Sequence, residues 1–176
     1  MTTPMFVALE GRVADAWDLA CVAHNREWRK PGVPYIQHPW DVATAVCLHG
    51  KSAMIVALLH DVLENCPDVR VIASYRGAPI YLDLSRGANL YTRCELTEAE
   101  LAALRALTRT PGEPYRDYRK RALANPLARV VKRADAEDNL KEMPADKESL
   151  RKRYKQTLWD ADVLDRTDFE RAHPKP

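Results

Sequence analysis

Apolar residues recur at helical spacing near the start of the chain. Val7, Ala8, Val13, Ala14, Trp17, Ala20 and Cys21, with Asp15 and Asp18 between them, predict an amphipathic helix from Met5 to about His24. Pro31, Gly32 and Pro34 forbid a regular helix between Arg26 and Gln37. Pro39 then suits the first turn of the next helix, so His38 stands at a helix entrance. Val42 to Leu48 continues that helix and His49-Gly50 closes it, because glycine accepts the left-handed backbone that ends helices. From Ser52 a further run, Ala53 to Leu63, is apolar nearly all round, the pattern of a helix buried in the middle of a domain. His60, Asp61 and Glu64 interrupt it.

The pattern changes between Val69 and Cys94. There Val71, Ile72, Tyr75, Ile80, Tyr81, Leu82 and Tyr91 lie between turn signals at Arg76-Gly77 and Arg86-Gly87, which predicts a small β insertion around residues 69–94. Helices return at Thr97-Glu98-Ala99-Glu100, a capping box that opens a helix to Leu107. Pro111 to Pro114 reads as a loop, followed by helices from about Tyr115 to Ala124 and from Pro126 to Met143, where Pro144 stops the second. A last amphipathic helix is expected from about Lys147 to Leu164, with a loose polar tail from about 167.

With 176 residues, 46% of them hydrophobic, the chain supports one compact domain over 1–176 rather than two. Twenty-seven basic residues against 25 acidic leave a net charge of +2, which carries no global signature of nucleic-acid binding, so any anion site must be local. No apolar run approaches the roughly 18 residues that span a bilayer, so no membrane partner is expected. Cys21, Cys47, Cys66 and Cys94 form no CxxC pair and follow no secretory segment. They read as buried apolar side chains in a reducing cytoplasm.

Three polar clusters fall where a core should be apolar. An ionised Asp61 inside an apolar helix needs a compensating charge, which either a divalent metal or a neighbouring arginine can supply. Glu64, four residues after His60 and three after Asp61, is placed on the same helical face. It reads either as the group that takes a proton from water or as a salt bridge near a helix end. Asp135, Asp138 and Asn139 share a second face, which is either a solvated surface or the source of a further carboxylate ligand. A mixed histidine and carboxylate set suits manganese, iron, cobalt or zinc better than calcium or magnesium. The third cluster is Arg29-Lys30 on a proline-stiffened loop that leads to His38; such a loop is either solvated or able to hold phosphate or stack on a base.

Together, Ala23-His24, Arg29-Lys30 through Pro34-Tyr35-Ile36 to His38-Pro39, Ala57 through His60-Asp61 to Glu64, and Val131-Lys132 with Ala134-Asp135 and Asp138-Asn139-Leu140 resemble the hydrolase domain of the Rel/SpoT alarmone enzymes and the small alarmone hydrolases. The resemblance covers about half the chain, in the family's order. It implies an all-α HD-domain helical bundle and one divalent ion, typically manganese, held by His38, His60, Asp61 and Asp135. It further implies that Glu64 assists the attacking water, Arg29 packs on the nucleobase, Lys30 meets phosphate, Asn139 contacts the sugar and Tyr154 lies near the ligand.

The chain departs from the family at two places. Asn65 stands where the family has an acid beside the water, and asparagine can orient a water but cannot accept its proton. The segment from Val69 to Cys94 is longer and more strand-like than the family's helical one. Both departures bear on the substrate more than on the metal.

The expected function is therefore metal-dependent hydrolysis of a nucleotide polyphosphate, first of all removal of the 3′-pyrophosphate of an alarmone such as (p)ppGpp or (p)ppApp. Arg116, Arg119 or Lys120 would neutralise the leaving group. The alternatives are a hydrolase of another nucleotide such as NADPH or a deoxynucleotide, and a nucleotide-binding module made slow by Asn65. The domain is expected to act alone or as a homo-oligomer, without a synthetase or DNA-binding domain.

Overall fold

The structure is a computed structural model, and it describes residues 11–65, 70–75, 78–83, 96–141 and 143–173. The fold is all-α with two small hairpins. Helix α1 (Arg12–Ala23) leads into the strands β1 (Trp28–Lys30) and β2 (Val33–Pro34). Next come α2 (Gln37–Ala45), a single 3-10 turn at Cys47–His49, α3 (Lys51–Leu59) and the short α4 (Val62–Asn65). A second antiparallel hairpin, β3 (Arg70–Tyr75) and β4 (Ala78–Asp83), precedes α5 (Glu98–Leu107), α6 (Tyr115–Ala124), α7 (Pro126–Lys141) and α8 (Glu148–Ala172).

Helix α3 is the hub, as its all-round apolar pattern predicts. Ala53, Ile55, Val56, Ala57, Leu58 and Leu59 are fully buried, and the helix packs against α1, α2, α5 and α7. At about 1.5–3 kcal/mol for each large aliphatic side chain buried, this helix contributes a large share of the core energy. The capping box at the start of α5 is present: the Glu100 amide donates to Thr97 Oγ1 and the Thr97 amide to Glu100 Oε2. Glu100 is itself buried and also pairs with Arg12, which ties the α5 entrance to the first turn of α1.

The hairpin predicted around 69–94 is seen at 70–75 and 78–83, with Arg70 opposite Asp83 and Tyr75 opposite Ala78; the remainder of that segment lies outside the described residues. The stretch before Gln37, where Pro31, Gly32 and Pro34 forbid a regular helix, forms the short hairpin β1–β2. Pro31 and Gly32 occupy its turn, and Gly32 at φ 79° takes the left-handed position that a type II turn requires. Two boundaries also differ. The helix expected to continue to Leu63 stops at Leu59, and His60 and Asp61 form a turn before α4, although His60 and Val62 stay buried. Along α8, the tail expected to be loose from about 167 stays helical to Ala172. Arg129, buried on α7, grips Asp165 at 2.9 Å and Asp168 at 2.6 Å, and Arg133 reaches Asp162 at 2.8 Å, so the acidic face of α8 is clamped. Cys47, expected to be buried, is exposed because its 3-10 turn lies at the surface; Cys66 and Cys94 lie outside the described residues.

Candidate metal centre

Three parts of the fold meet at one point. His38 comes from the first turn of α2, His60 and Asp61 from the turn between α3 and α4, and Asp135 from the middle of α7. His38 Nε2 lies 3.2 Å from Asp135 Oδ1 and 3.7 Å from Asp61 Oδ2. His60 Nε2 lies 3.2 Å from Asp61 Oδ2 and 3.8 Å from Asp135 Oδ1. Two ligands each about 2.1 Å from a divalent ion stand about 3.0 Å apart at a right angle and about 3.4 Å apart at the tetrahedral angle, so this spacing fits one ion. His38, His60 and Asp135 are all buried and offer ligand atoms within 4.8 Å of one another.

The proton positions make the case chemically. His60 Nδ1 lies 2.7 Å from the Ala57 carbonyl, which can only accept, so Nδ1 carries the hydrogen and a neutral ring turns the lone pair of Nε2 towards the carboxylates. Buried there, His60 Nε2 has no hydrogen-bond partner. His38 repeats the arrangement, with Nδ1 2.7 Å from the Asp138 carboxylate and Nε2 facing inward. Lone pairs of two rings and two carboxylates converge, and such acceptors require a cation between them. Burial alone would push the His60 pKa down, but the nearby Asp61 and Asp135 carboxylates outweigh it and lift the ring to about 9. Without an ion, a proton takes the cation's place.

Asp135 is held from both sides. Lys132, one turn earlier and buried, donates to its Oδ2 at 2.7 Å, while Asn139 Nδ2 donates to Oδ1 at 2.5 Å. Burial raises the Asp135 pKa, yet the Lys132 charge and the two histidines hold the carboxyl well below its ordinary value. Lys132 in turn is shifted well above its ordinary value, because the Asp135 carboxylate beside it outweighs the burial penalty; its Nζ also lies 5.2 Å from the centre of the Tyr118 ring. Tyr35 donates to Asp61 Oδ2 at 2.6 Å. Both carboxylates are therefore oriented by neighbouring donors, as carboxylates that hold a metal commonly are.

No family model matches the chain. Over 47 residues, 26% of its length, the chain is 47% identical to the guanosine-3′,5′-bis(diphosphate) 3′-pyrophosphohydrolase of Haemophilus influenzae; that stretch spans 7% of the relative's length. The solved structure of a metazoan ortholog of SpoT matches at a TM-score of 0.61 and 17% identity, over 92% of this chain and 88% of that one. That ortholog is described as hydrolysing ppGpp and playing a role in starvation responses. The chain has its fold.

In this SpoT-type fold the centre opens into a cleft of about 220 Å³. His38, Asp61 and Asp135 line its floor, with Glu64, Asn139 and Tyr154 among its walls. Glu64 accepts the Arg109 amide at 3.2 Å, and burial raises the Tyr154 hydroxyl to about 12. The side chain of Asn65 lies outside the described residues. Arg29 and Lys30 do not line the cleft: Arg29 pairs with Asp138 at 2.8 Å, and Lys30 is exposed on β1. Arg116 pairs with Asp117 and Arg119 with Asp160, and neither they nor Lys120 line the cleft. The cations in its lining are instead Lys132, which faces Asp135, and the arginines Arg109 and Arg153, the latter 5.2 Å over the Tyr115 ring. Neither arginine stood out in the sequence, and the signal for Lys132 as the counter-ion of Asp135 was its i, i+3 spacing on one helix.

Proposed function

We propose that the chain is a metal-dependent phosphohydrolase of nucleotide polyphosphates, acting first as a 3′-pyrophosphohydrolase of alarmones such as (p)ppGpp or (p)ppApp. The observation that carries this reading is the convergence of His38 Nε2, His60 Nε2, Asp61 and Asp135, with His38, Asp61 and Asp135 lining a cleft that arginines also line. The named activities of the two relatives point the same way. A divalent ion, manganese in the first instance and zinc, iron or cobalt by the same ligand chemistry, supplies Lewis-acid activation of water and of a phosphate oxygen when bound.

In this reading His38, His60, Asp61 and Asp135 hold the ion, while Lys132 and Asn139 fix the Asp135 oxygens. Glu64, in the cleft lining, takes a proton from the attacking water as the new oxygen–phosphorus bond forms and the phosphorus–3′-oxygen bond breaks, and the departing 3′ oxygen takes up a proton from solvent to become the 3′-hydroxyl. Arg109 and Arg153 face the charge of the departing pyrophosphate. Asn139 and Tyr154 lie at the ligand's edge. At about 220 Å³ the cleft is smaller than whole-ligand pockets of roughly 300–1,000 Å³, so it takes the phosphate end of a nucleotide and leaves the rest across its mouth.

Asn65 favours a second reading, a hydrolase of another nucleotide such as NADPH or a deoxynucleoside triphosphate, because an amide in place of the acid changes which groups the pocket can donate to and accept from. Among the described residues no helix is long and apolar enough to cross a membrane. We place the single domain in the cytoplasm, with a small-molecule substrate and no nucleic-acid or membrane partner.

The test is to incubate the purified chain with Mn²⁺ and a panel of (p)ppGpp, (p)ppApp, NADPH and deoxynucleoside triphosphates, and to resolve the products. Pyrophosphate released from an alarmone and lost in Asp61→Ala supports the first reading. Turnover of only NADPH or deoxynucleotides replaces it with the second, and nucleotide binding without any turnover refutes both.

A further inference from the structure

We propose that Asp138 and Arg29 are positioning residues of the metal centre, with Arg29 acting on the metal ligand His38 rather than on a nucleobase. The inference rests on the metal-site reading above and goes beyond it. Asp138 Oδ2 is shared by two donors, His38 Nδ1 at 2.7 Å and Arg29 Nη1 at 2.8 Å. Arg29 Nη2 also reaches the Asp138 backbone carbonyl at 3.4 Å, so one guanidinium holds both the side chain and the main chain of that turn. His38 and Asp138 are buried, and the Arg29 side chain is 15% exposed.

The hairpin is built to deliver this arginine. Trp28 pairs with Pro34 and Lys30 with Val33, and the register shifts between them, so Arg29 is the extra residue of a bulge. Trp28 and Lys30 on either side of it are exposed while Arg29 turns inward. The guanidinium thus crosses from β1 to α7 and meets the carboxylate one turn after the ligand Asp135. A ring that donates Nδ1–H to a fixed carboxylate keeps Nε2 aimed at the ion and more basic, the arrangement that tunes histidine ligands generally. Asp138 also approaches Lys141 at 3.6 Å, but that lysine is largely exposed and adds little to the grip. Arg29 does not line the cleft, and both of its Nη groups are engaged by Asp138 on the far side of His38.

The experiment measures Mn²⁺ affinity by titration into chelator-stripped protein for the wild type, Arg29→Ala, Arg29→Lys, Asp138→Ala and Asp138→Asn, with the thermal midpoint in chelator as the check on folding. The expected loss is about 10- to 100-fold in affinity for Arg29→Ala and Asp138→Ala. Asp138→Asn, whose amide oxygen still accepts from Nδ1, should recover most of it. Alarmone hydrolysis supplies a second readout. Excess Mn²⁺ should restore turnover in Arg29→Ala, with the substrate KM near the wild-type value. Mn²⁺ affinity in folded Arg29→Ala or Asp138→Ala within twofold of the wild type overturns the inference while leaving the metal site standing. A KM defect that added Mn²⁺ does not repair assigns Arg29 to the substrate and overturns it as well. Absence of Mn²⁺ binding in the wild type defeats the metal reading itself, and the inference with it.

Discussion

Replacing Lys132 by methionine removes a buried charge while nearly keeping its volume, and so isolates what that charge does for Asp135. The two groups are 2.7 Å apart and their side chains are only 10% and 7% exposed. Breaking a buried pair by removing one partner costs about 3 to 5 kcal/mol, because the remaining charge is left uncompensated. Asn139 keeps donating to Asp135 and a protonated His60 can supply some charge, so the expected cost lies near the lower figure, about 3 kcal/mol in chelator at pH 7. In a chain of this size that lowers the thermal midpoint by roughly 6 to 12 °C.

The pH dependence has a definite sign. In the wild type the Asp135 carboxyl is held well below 3.8, so its contribution is complete above 3.8 and fades as the pH falls through the lower folded-state value. In Lys132→Met burial dominates and the carboxyl titrates higher, so acid relieves the buried charge and the gap between variant and wild type narrows below neutral pH. A divalent ion supplies the missing positive charge, so Mn²⁺ should stabilise the variant more than the wild type, provided the ion still binds. Urea denaturation with and without Mn²⁺, at pH 7 and pH 5, measures all three effects. A loss below about 1 kcal/mol in chelator at pH 7 would refute the claim that Lys132 is the counter-ion on which the buried ligand depends.

Leu58→Ala, in the fully buried α3, should cost about 2–5 kcal/mol by urea denaturation. The Glu113 carboxyl, lowered to about 2 by hydrogen bonds from Arg121 and the Thr110 amide, should titrate there by carbon-detected NMR and return towards 4.5 in Arg121→Ala. Its stabilising contribution is present above 4.5 and is lost as the pH falls towards 2. Iodoacetamide at pH 8 should label Cys47 well before Cys21, because Cys47 is exposed while burial and Asp18 push the Cys21 thiol to about 11. Equal labelling rates in the folded protein would contradict that placement.

Local chemistry was legible in the sequence, and contacts between distant segments were not. The capping box at Thr97 and Glu100, the stop at Pro144 and the buried run of α3 each follow from residues a few positions apart. His60 and Asp61 stood out because they interrupt an apolar run, although the break in that helix at the same point did not. Lys132 entered only as part of the family resemblance, since its burial shows only in the packing of α6 and its Tyr118 against α7. The link from Arg29 to Asp138 spans 109 positions, and no spacing rule reaches across it. Likewise, Arg109 and Arg153 become cleft residues only once α8 folds back over α6 and α7. The end of α8 was misread because its polar residues look loose until Arg129 and Arg133 are placed opposite them.

The central claim is that His38, His60, Asp61 and Asp135 hold one divalent ion. It is tested most directly by titrating Mn²⁺ into chelator-stripped protein and following the free ion by electron paramagnetic resonance. The account predicts saturation at one ion per chain and loss of that site in His60→Ala, with the helical circular dichroism retained. A wild-type chain that binds no ion, or a His60→Ala variant that binds one as tightly as the wild type, would contradict it.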